Sequence, residues 1–471
     1  MLSKSDFMKF LQCKKYLWLY KHRKDLLEEV SEKQQAIFDQ GFTVEEYAMK
    51  LFPEANAQLI ARAPYAGKPN QLYARADLVV HVPDTDQIDI YEVKSSSGVH
   101  PEHLPDLAFQ KIAFTAAGYQ VNKTYMIHLN GEYVRQGSID PHELLTIADI
   151  TEDVEEMVEQ ITPLIPEALA DMALRAEPQV RIVKQCNNPY TCPFISYCWE
   201  QAQIPEYSVY DLTGVREKTL VELLDRGVMR VEDIPADIKL TNAQAAQVKT
   251  AQTQKPLINK TKVKAALKKL KYPLYFFDYE AVNPAIPLWD GTRPYQQVCF
   301  QYSLHVQRQP DAPLEHCEFL ASGQENPVNA LLAQLRHDIA DDQGSVIVWY
   351  KSFEMTRNQE MAEMFPQYRE FLESVNARVF DFYEIFKKLY YVDPGFHGSC
   401  SIKDVLPALV PELSYQNLDD IREGGMASLR WLQGNFGVGL EEVEKEKIRW
   451  NLLRYCERDT EAMVRVLEAL R

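Results

Sequence analysis

The 471-residue sequence contains no apolar run long enough to cross a membrane. Its opening stretch, MLSKSDFMKFLQCKKYLWLYKHRK, is broken by charge too often for a secretory leader, so the expected location is cytoplasmic. Internal repeats and low-complexity tracts are absent. Positive charge is also in short supply, since 51 Lys and Arg stand against 68 Asp and Glu for a net charge of −17. That argues against a broad basic surface for polyanions, but not against carboxylates that recruit a cation locally. The most basic stretch, NKTKVKAALKKLKY (259–272), has Val263, Ala266, Leu267 and Leu270 on one helical stripe, which leaves its lysines facing solvent. With 46% hydrophobic and 25% charged residues, the composition is that of a soluble globular protein with two or three full cores.

The hydrophobic pattern predicts an α/β protein. Residues 1 to about 55 read as helical, with Phe10, Cys13, Leu17 and Tyr20 at helix spacing. Residues 70–135 read as strands around a helix containing DLAFQKIAFTAAGY. A helical stretch over 151–175 and a cysteine-bearing loop over 186–198 follow. Residues 205–270 form a small helical connector, whose GVREKTLVELLDRGVMRVEDIP has the glycine punctuation of a helix–hairpin–helix unit. From Pro273 the texture changes: YPLYFFDYE, QQVCFQYSLHV and SVIVWY are apolar strands, with helices after them. The expected domains are therefore 1–204, a connector over 205–272, and 273–471.

One predicted hairpin carries chemistry. ARADLVVHV and IDIYEVK flank the turn-forming PDTDQ. A turn centred between Asp84 and Thr85 sets Asp77 opposite Glu92, Val79 opposite Ile90 and His81 opposite Ile88. Opposed residues share a face, and so do residues two apart on a strand, so Asp77, Glu92 and Lys94 converge. Such a set can hold a divalent cation beside a water molecule, or be a surface ion pair of little consequence.

The eight cysteines are unevenly spread. Cys186, Cys192 and Cys198 fall within CNNPYTCPFISYC, and Cys13 stands alone near the start. Four thiolates suit zinc or an iron–sulfur cluster, and the five-residue gaps fit zinc less well. Cys13 also lies on an apolar stripe, where a cysteine packs well in a core. Cys299, Cys317, Cys400 and Cys456 read as core or incidental residues.

A second set of acids lies late in the sequence. FFDYE ends an apolar strand with Asp278 and Glu280 on one face. VIVWYKSFE places Glu354 just after another strand, and YCERDTEAMVRVL puts Tyr455 and Asp459 one helical turn apart.

LSKSDFMKFLQCKKYLWL, RADLVV, YEVKSSS, DLAFQ and the three late cysteines together resemble the RecB-like PD-(D/E)XK nucleases, in particular the iron–sulfur subgroup of CRISPR adaptation and helicase–nuclease enzymes. The resemblance implies that Asp77 and Glu92 bind Mg²⁺ or Mn²⁺, that Lys94 orients the attacking water, and that Gln110 supports the site. It also implies that Cys13, Cys186, Cys192 and Cys198 clamp a 4Fe–4S cluster, with zinc as the alternative. Glu45 stands where that family often has histidine, and Phe114 where tyrosine is more usual. The late cysteines are spaced C-x5-C-x5-C rather than C-x2-C-x5-C.

The later acids, in their order, resemble the DEDD 3′–5′ exonucleases of RNase H-like, DnaQ-like fold. That resemblance implies metal binding by Asp278, Glu280, Glu354 and Asp459, with Tyr455 hydrogen-bonding the attacking water. Tyr350 and Glu354 stand where the second motif normally has Asn and Asp, and Asp381 falls where related enzymes carry a supporting aspartate. GSCSIKDVLPAL and YCERDTEAM also resemble segments of a bacterial family that fuses the two modules. Together these resemblances imply a two-site, metal-dependent nuclease acting on DNA in repair, recombination or defence, without a membrane partner. The alternatives are an RNA-processing exonuclease and a nucleic-acid-binding scaffold with one degenerate domain.

Overall fold

The computed structural model describes residues 1–53 and 55–471, and the chain is a mixed α/β protein. It divides into two compact units, one formed by Met1–Ile204 with Pro284–Tyr295 and the other by Pro205–Asn283 with Gln296–Arg471. Among the described residues no helix is long and apolar enough to cross a membrane.

The first unit is built on a five-stranded sheet. From one edge to the other its strands are Asn56–Ala57, Leu78–His81, Gln87–Val93, Gln120–Leu129 and Leu145–Asp149. Leu78–His81 and Gln87–Val93 form the antiparallel hairpin expected from the sequence, with Val79 opposite Ile90 and His81 opposite Ile88. Asp84 in the connecting turn takes φ +60°, a left-handed conformation that aspartate tolerates better than most residues. Helix Leu104–Ala116 then leads into Gln120–Leu129, which runs parallel to Gln87–Val93. Leu107, Phe109, Ala113 and Phe114 of this helix are fully buried with Ile88, Ile90 and Met126 of the sheet. A smaller sheet pairs Lys68–Arg75 with Ile60–Tyr65 on one side and Leu2–Ser3 on the other.

The start of the chain departs from the predicted continuous helix. Helices Lys4–Gln12 and Lys14–His22 are separated at Cys13, whose φ −166° and ψ 124° are extended. The apolar spacing of Phe10, Cys13, Leu17 and Tyr20 therefore runs across a break. Ser3 caps the first helix, accepting from the Asp6 amide while Asp6 accepts from the Ser3 amide, a reciprocal box that fixes where the helix starts.

The second unit is also centred on a five-stranded mixed sheet. Its order is Leu314–Leu320, Val298–Gln307, Leu274–Val282, Ser345–Val348 and Val379–Asp381. The first three strands are antiparallel neighbours, while Ser345–Val348 runs parallel to both Leu274–Val282 and Val379–Asp381. Leu274–Val282 is the middle strand, and eight of its nine residues are buried, as expected for a strand covered on both faces. The 29-residue helix Glu442–Leu470 packs on Leu274–Val282 and Val298–Gln307. Residues 205–283 carry the helices Glu217–Asp225, Asn242–Thr253 and Lys260–Leu267. On the last of these Val263 is buried and the lysines are exposed, as its stripe predicts.

Candidate functional site

In the first unit the hairpin brings Asp77, Glu92 and Lys94 to one cavity of about 450 Å³, also lined by Lys4, Glu45 and Arg75. Asp77 precedes its strand, and its Oδ2 accepts the Val93 amide at 2.8 Å, tying the acid to the Glu92 strand. Glu92 is almost fully buried. Its Oε1 lies 2.6 Å from Lys94 Nζ and 3.0 Å from Lys4 Nζ, and Gln110 Nε2 donates to its Oε2 at 2.6 Å. Asp106, one helical turn before Gln110, receives Lys94 at 2.9 Å and Lys4 at 3.0 Å.

The electrostatics separate the two expected metal ligands. Burial alone would raise the Glu92 pKa, but Lys4 and Lys94 hold the carboxyl well below the usual range. For Asp77, burial and the neighbouring Glu92 charge outweigh Lys4, the Val93 amide and Lys94, and push it up to about 8. Burial and Glu92 also push Glu45 up. Burial would lower the Lys94 pKa, yet Glu92 and Asp106 keep it well above its ordinary value. The site thus contains one anchored carboxylate and one carboxyl whose ionised form is disfavoured by burial and the neighbouring charge. Among the described residues, the fully buried Gln110 leaves its Oε1 without a hydrogen-bond partner.

The four cysteines are gathered in the same unit. Gln12, at the end of the first helix, donates to the carbonyls of Gln185 at 2.9 Å and Tyr190 at 2.7 Å, which holds the cysteine loop against the Cys13 turn. The Cys192 amide donates to Cys186 O at 2.8 Å, and Cys192 and Cys198 pack with Trp18, Leu19 and Phe194. No disulfide joins them. Burial pushes the Cys192 thiol up to about 12, and the other three sulfurs add to the shift. Cys186 and Cys198 are also raised, first by burial. Three thiols with raised pKa values, together with the neighbouring Cys13, fit a soft metal group, which would supply the positive charge that thiolates need.

In the second unit Asp278 and Glu280 project from the middle strand, just before a register shift between Glu280 and Ala281. Glu354 sits in the first turn of helix Lys351–Met364, and Tyr455 and Asp459 lie on Glu442–Leu470. Glu280, Glu354, Tyr455 and Asp459 are all buried. Burial, then the charges of Asp459, Glu280 and Glu354, drive the Asp278 pKa well above the carboxylate range. Glu280 is pushed up to about 8 by burial and Asp459, and Glu354 to about 8 chiefly by burial with Asp381 adding to it. Asp459 rises only to about 6, because hydrogen bonds from Tyr415 and Tyr455 and the Lys403 charge offset its burial. Tyr415 donates to Asp459 Oδ1 at 2.5 Å, and Lys403 Nζ lies 3.2 Å from the Tyr455 hydroxyl. Among the described residues, Glu354 Oε2 is buried without a hydrogen-bond partner. Oxygen-rich acids crowded in this way fit Mg²⁺ or Mn²⁺, since the cation relieves both burial and mutual repulsion.

Residues 275–401 match the profile of a family described as a domain of unknown function (DUF2779). The chain is also similar to curated proteins of Mycoplasma and Ureaplasma. It is 28% identical over 223 residues to "Uncharacterized protein MG366" of Mycoplasma genitalium, covering 44% of this chain and 33% of that protein. It is 26% identical over 219 residues to "Uncharacterized protein UU173" of Ureaplasma parvum, covering 42% of this chain and 31% of that protein. The chain therefore spans about a third of the length of the curated relatives it matches.

Several residues of both sites escape sequence reasoning. Lys4 reaches Glu92 because Leu2–Ser3 pairs in parallel with Lys68–Arg75, the strand that leads to Asp77. Asp106 had a signal, its i, i+4 spacing from Gln110, while Tyr415 and Lys403 had none. Cys456, read as a core or incidental residue, is buried with its Sγ 3.8 Å from Asp278 Oδ2. One ligand atom from each of Asp278, Glu280 and Cys456 lies within 4.8 Å of the others. Asp381 accepts the Tyr383 amide and influences Glu354 from beside the cluster, Tyr350 is exposed at the start of the Glu354 helix, and Phe114 is core.

Proposed function

We propose that this chain is a metal-dependent nuclease with two separate active centres that hydrolyses phosphodiester bonds of DNA, single strands or ends in particular. The observation that carries the reading is the crowding of the half-buried Asp278 with the buried Glu280, Glu354 and Asp459, where burial and neighbouring charge raise Asp278 well above the carboxylate range and Glu280 and Glu354 to about 8. Crowding four acids in and beside the core costs folding free energy that the nearby Lys403 and tyrosines only partly offset, so their collection is best accounted for by cations. The middle-strand position of Asp278 and Glu280, with the Asp459 helix laid across the sheet, supports an RNase H-like, DnaQ-like domain. The Asp77–Glu92–Lys94 hairpin, followed by the Gln110 helix and a parallel strand, supports a PD-(D/E)XK domain.

In the second unit, Asp278, Glu280, Glu354 and Asp459 would hold Mg²⁺ or Mn²⁺. The bound ions would supply positive charge to the attacking and leaving oxygens of an in-line displacement at phosphorus. Tyr455 offers its hydroxyl to the attacking water, and Lys403 beside it keeps positive charge at the same place. Tyr415 fixes the rotamer of Asp459 and keeps that carboxylate ionised. In the first unit Asp77 and Glu92 would hold the cation. Gln110 and Lys4 fix Glu92, and Lys94 remains protonated to orient water and meet negative charge on phosphate. Cys13, Cys186, Cys192 and Cys198 would carry a 4Fe–4S cluster that clamps the chain start to the late cysteine loop.

The test is incubation of the full chain with end-labelled single- and double-stranded DNA and RNA in Mg²⁺, Mn²⁺ or EDTA. Metal-dependent release of nucleotides from DNA that EDTA stops supports the proposal. Cleavage confined to RNA would reassign the substrate, and intact substrates under every condition would refute catalysis.

A further inference from the structure

A third group of potential ligands lies in the second unit, on the edge strand Leu314–Leu320, its neighbour Val298–Gln307 and the helix Glu442–Leu470. His305 and His316 are directly opposite each other on the antiparallel strands Val298–Gln307 and Leu314–Leu320. Their rings stack with centroids 4.4 Å apart and planes at 27°, so both imidazoles present their edges side by side. Glu457 approaches from helix Glu442–Leu470, and one ligand atom from each of the three residues lies within 4.8 Å of the others.

The rings are oriented by a continuous chain of hydroxyls. His305 Nδ1 lies 2.8 Å from Thr460 Oγ1, Thr460 Oγ1 lies 2.7 Å from Ser303 Oγ, and Ser303 Oγ lies 2.9 Å from His316 Nε2. This engages one nitrogen of each ring and leaves the other. Metal-binding histidines are commonly held this way, with the second nitrogen hydrogen-bonded so that tautomer and ring plane are fixed. Arg454 similarly holds Glu457 Oε2 at 2.5 Å and leaves Oε1. His305 is buried and His316 exposed, which gives an inner anchor and an open entry path.

We propose that His305, His316 and Glu457 form a separate binding site for a zinc-class divalent cation, with water completing the coordination. Two imidazoles and one carboxylate suit zinc, cobalt or nickel, whereas Mg²⁺ prefers the all-oxygen sites. The ion would join the edge strand and its neighbour to the helix that carries Tyr455 and Asp459. It would thereby fix that helix within one turn of its active-site residues, as a structural rather than a reacting metal. The alternative is a stacked histidine pair beside a surface ion pair, with no affinity for metal. The inference does not depend on the nuclease reading.

The experiment compares the metal-stripped full chain with its His316→Gln variant, by equilibrium dialysis against Zn²⁺ and by absorption spectroscopy on adding Co²⁺. The wild-type chain should bind one more zinc equivalent than the variant, with a cobalt ligand-field band that lacks thiolate charge transfer. Ser303→Ala should keep the equivalent but weaken it roughly 10- to 100-fold. Should His316→Gln lose its fold by circular dichroism, Glu457→Gln carries the same comparison. Equal zinc stoichiometry and affinity in the wild type and the folded variants would overturn the proposal.

Discussion

The Lys4 ammonium lies 3.0 Å from Glu92 Oε1 and 3.2 Å from Oε2, although 88 positions separate the two residues in sequence. The chain start is thus part of the first site, and Lys4 would compete with the proposed cation for the same carboxylate. Lys4→Met should cost about 1–3 kcal/mol of stability at neutral pH in the absence of metal, the scale of a hydrogen bond to a charged group. Because Glu92 has a depressed pKa when folded, its pairing contributes above the ordinary carboxylate range and is lost as pH falls. The deficit should therefore shrink on acidification, and Mg²⁺ or Mn²⁺ should stabilise the variant more than the wild type. Urea unfolding at neutral and acid pH, with and without metal, checks this.

The second site has the opposite pH signature. Asp278, Glu280 and Glu354 are raised in the folded state, so the folded chain holds protons that the unfolded chain has released. Between about pH 4, where free carboxyls titrate, and about pH 8, stability of the metal-free protein should fall as pH rises. Asp278→Asn should flatten that slope and raise the melting temperature in EDTA at pH 8. Mg²⁺ should raise the wild-type melting temperature more at pH 8 than at pH 5. Calorimetric scans across this range would contradict the account if the metal-free slope were absent.

Tyr415 is the sharpest probe of how Asp459 is tuned. Its hydroxyl donates to Asp459 Oδ1 and lowers that carboxyl's proton affinity. Tyr415→Phe should leave Asp459 more readily protonated. Metal binding at pH 6 should then weaken by more than at pH 8, which titration calorimetry at the two values would show. A purely packing role for the ring predicts the same small loss at both.

The cysteine arc makes a prediction about colour and fold together. Protein purified without oxygen should be brown and contain iron. Cys192→Ser should bleach it and lower the unfolding temperature of the first unit, because Cys192 packs with Trp18, Leu19 and Phe194 as well as facing the other thiols. Colourless protein with one stoichiometric zinc would replace the cluster with zinc at the same four residues.

Features set by local pattern could be read without coordinates. The alternation of ARADLVVHV and IDIYEVK and the intervening turn gave the register that pairs Val79 with Ile90. The apolar run before Asp278 marked a strand covered on both faces. Features set by tertiary pairing could not be read. The parallel contact of Leu2–Ser3 with Leu72–Tyr73, which delivers Lys4, leaves no trace in two residues of strand. Tyr415 lies in the short turn Tyr415–Asn417, where no periodicity marks its inward face. The break at Cys13 was hidden because apolar spacing continued through it. Nothing in residues 284–295 signals that they pack with the first unit, where Ala285 is buried beside Val44 and Tyr133.

The central claim is that the acids around Asp278 hold cations for phosphodiester cleavage, at a centre separate from the one at Lys94. The most direct measurement follows 3′-end trimming of labelled single-stranded DNA in Mn²⁺ by the wild-type chain, Asp278→Asn and Lys94→Ala. The account predicts that Asp278→Asn abolishes stepwise 3′ trimming while its first-unit cleavage persists, and that Lys94→Ala does the reverse. Unchanged 3′ trimming by Asp278→Asn would contradict it.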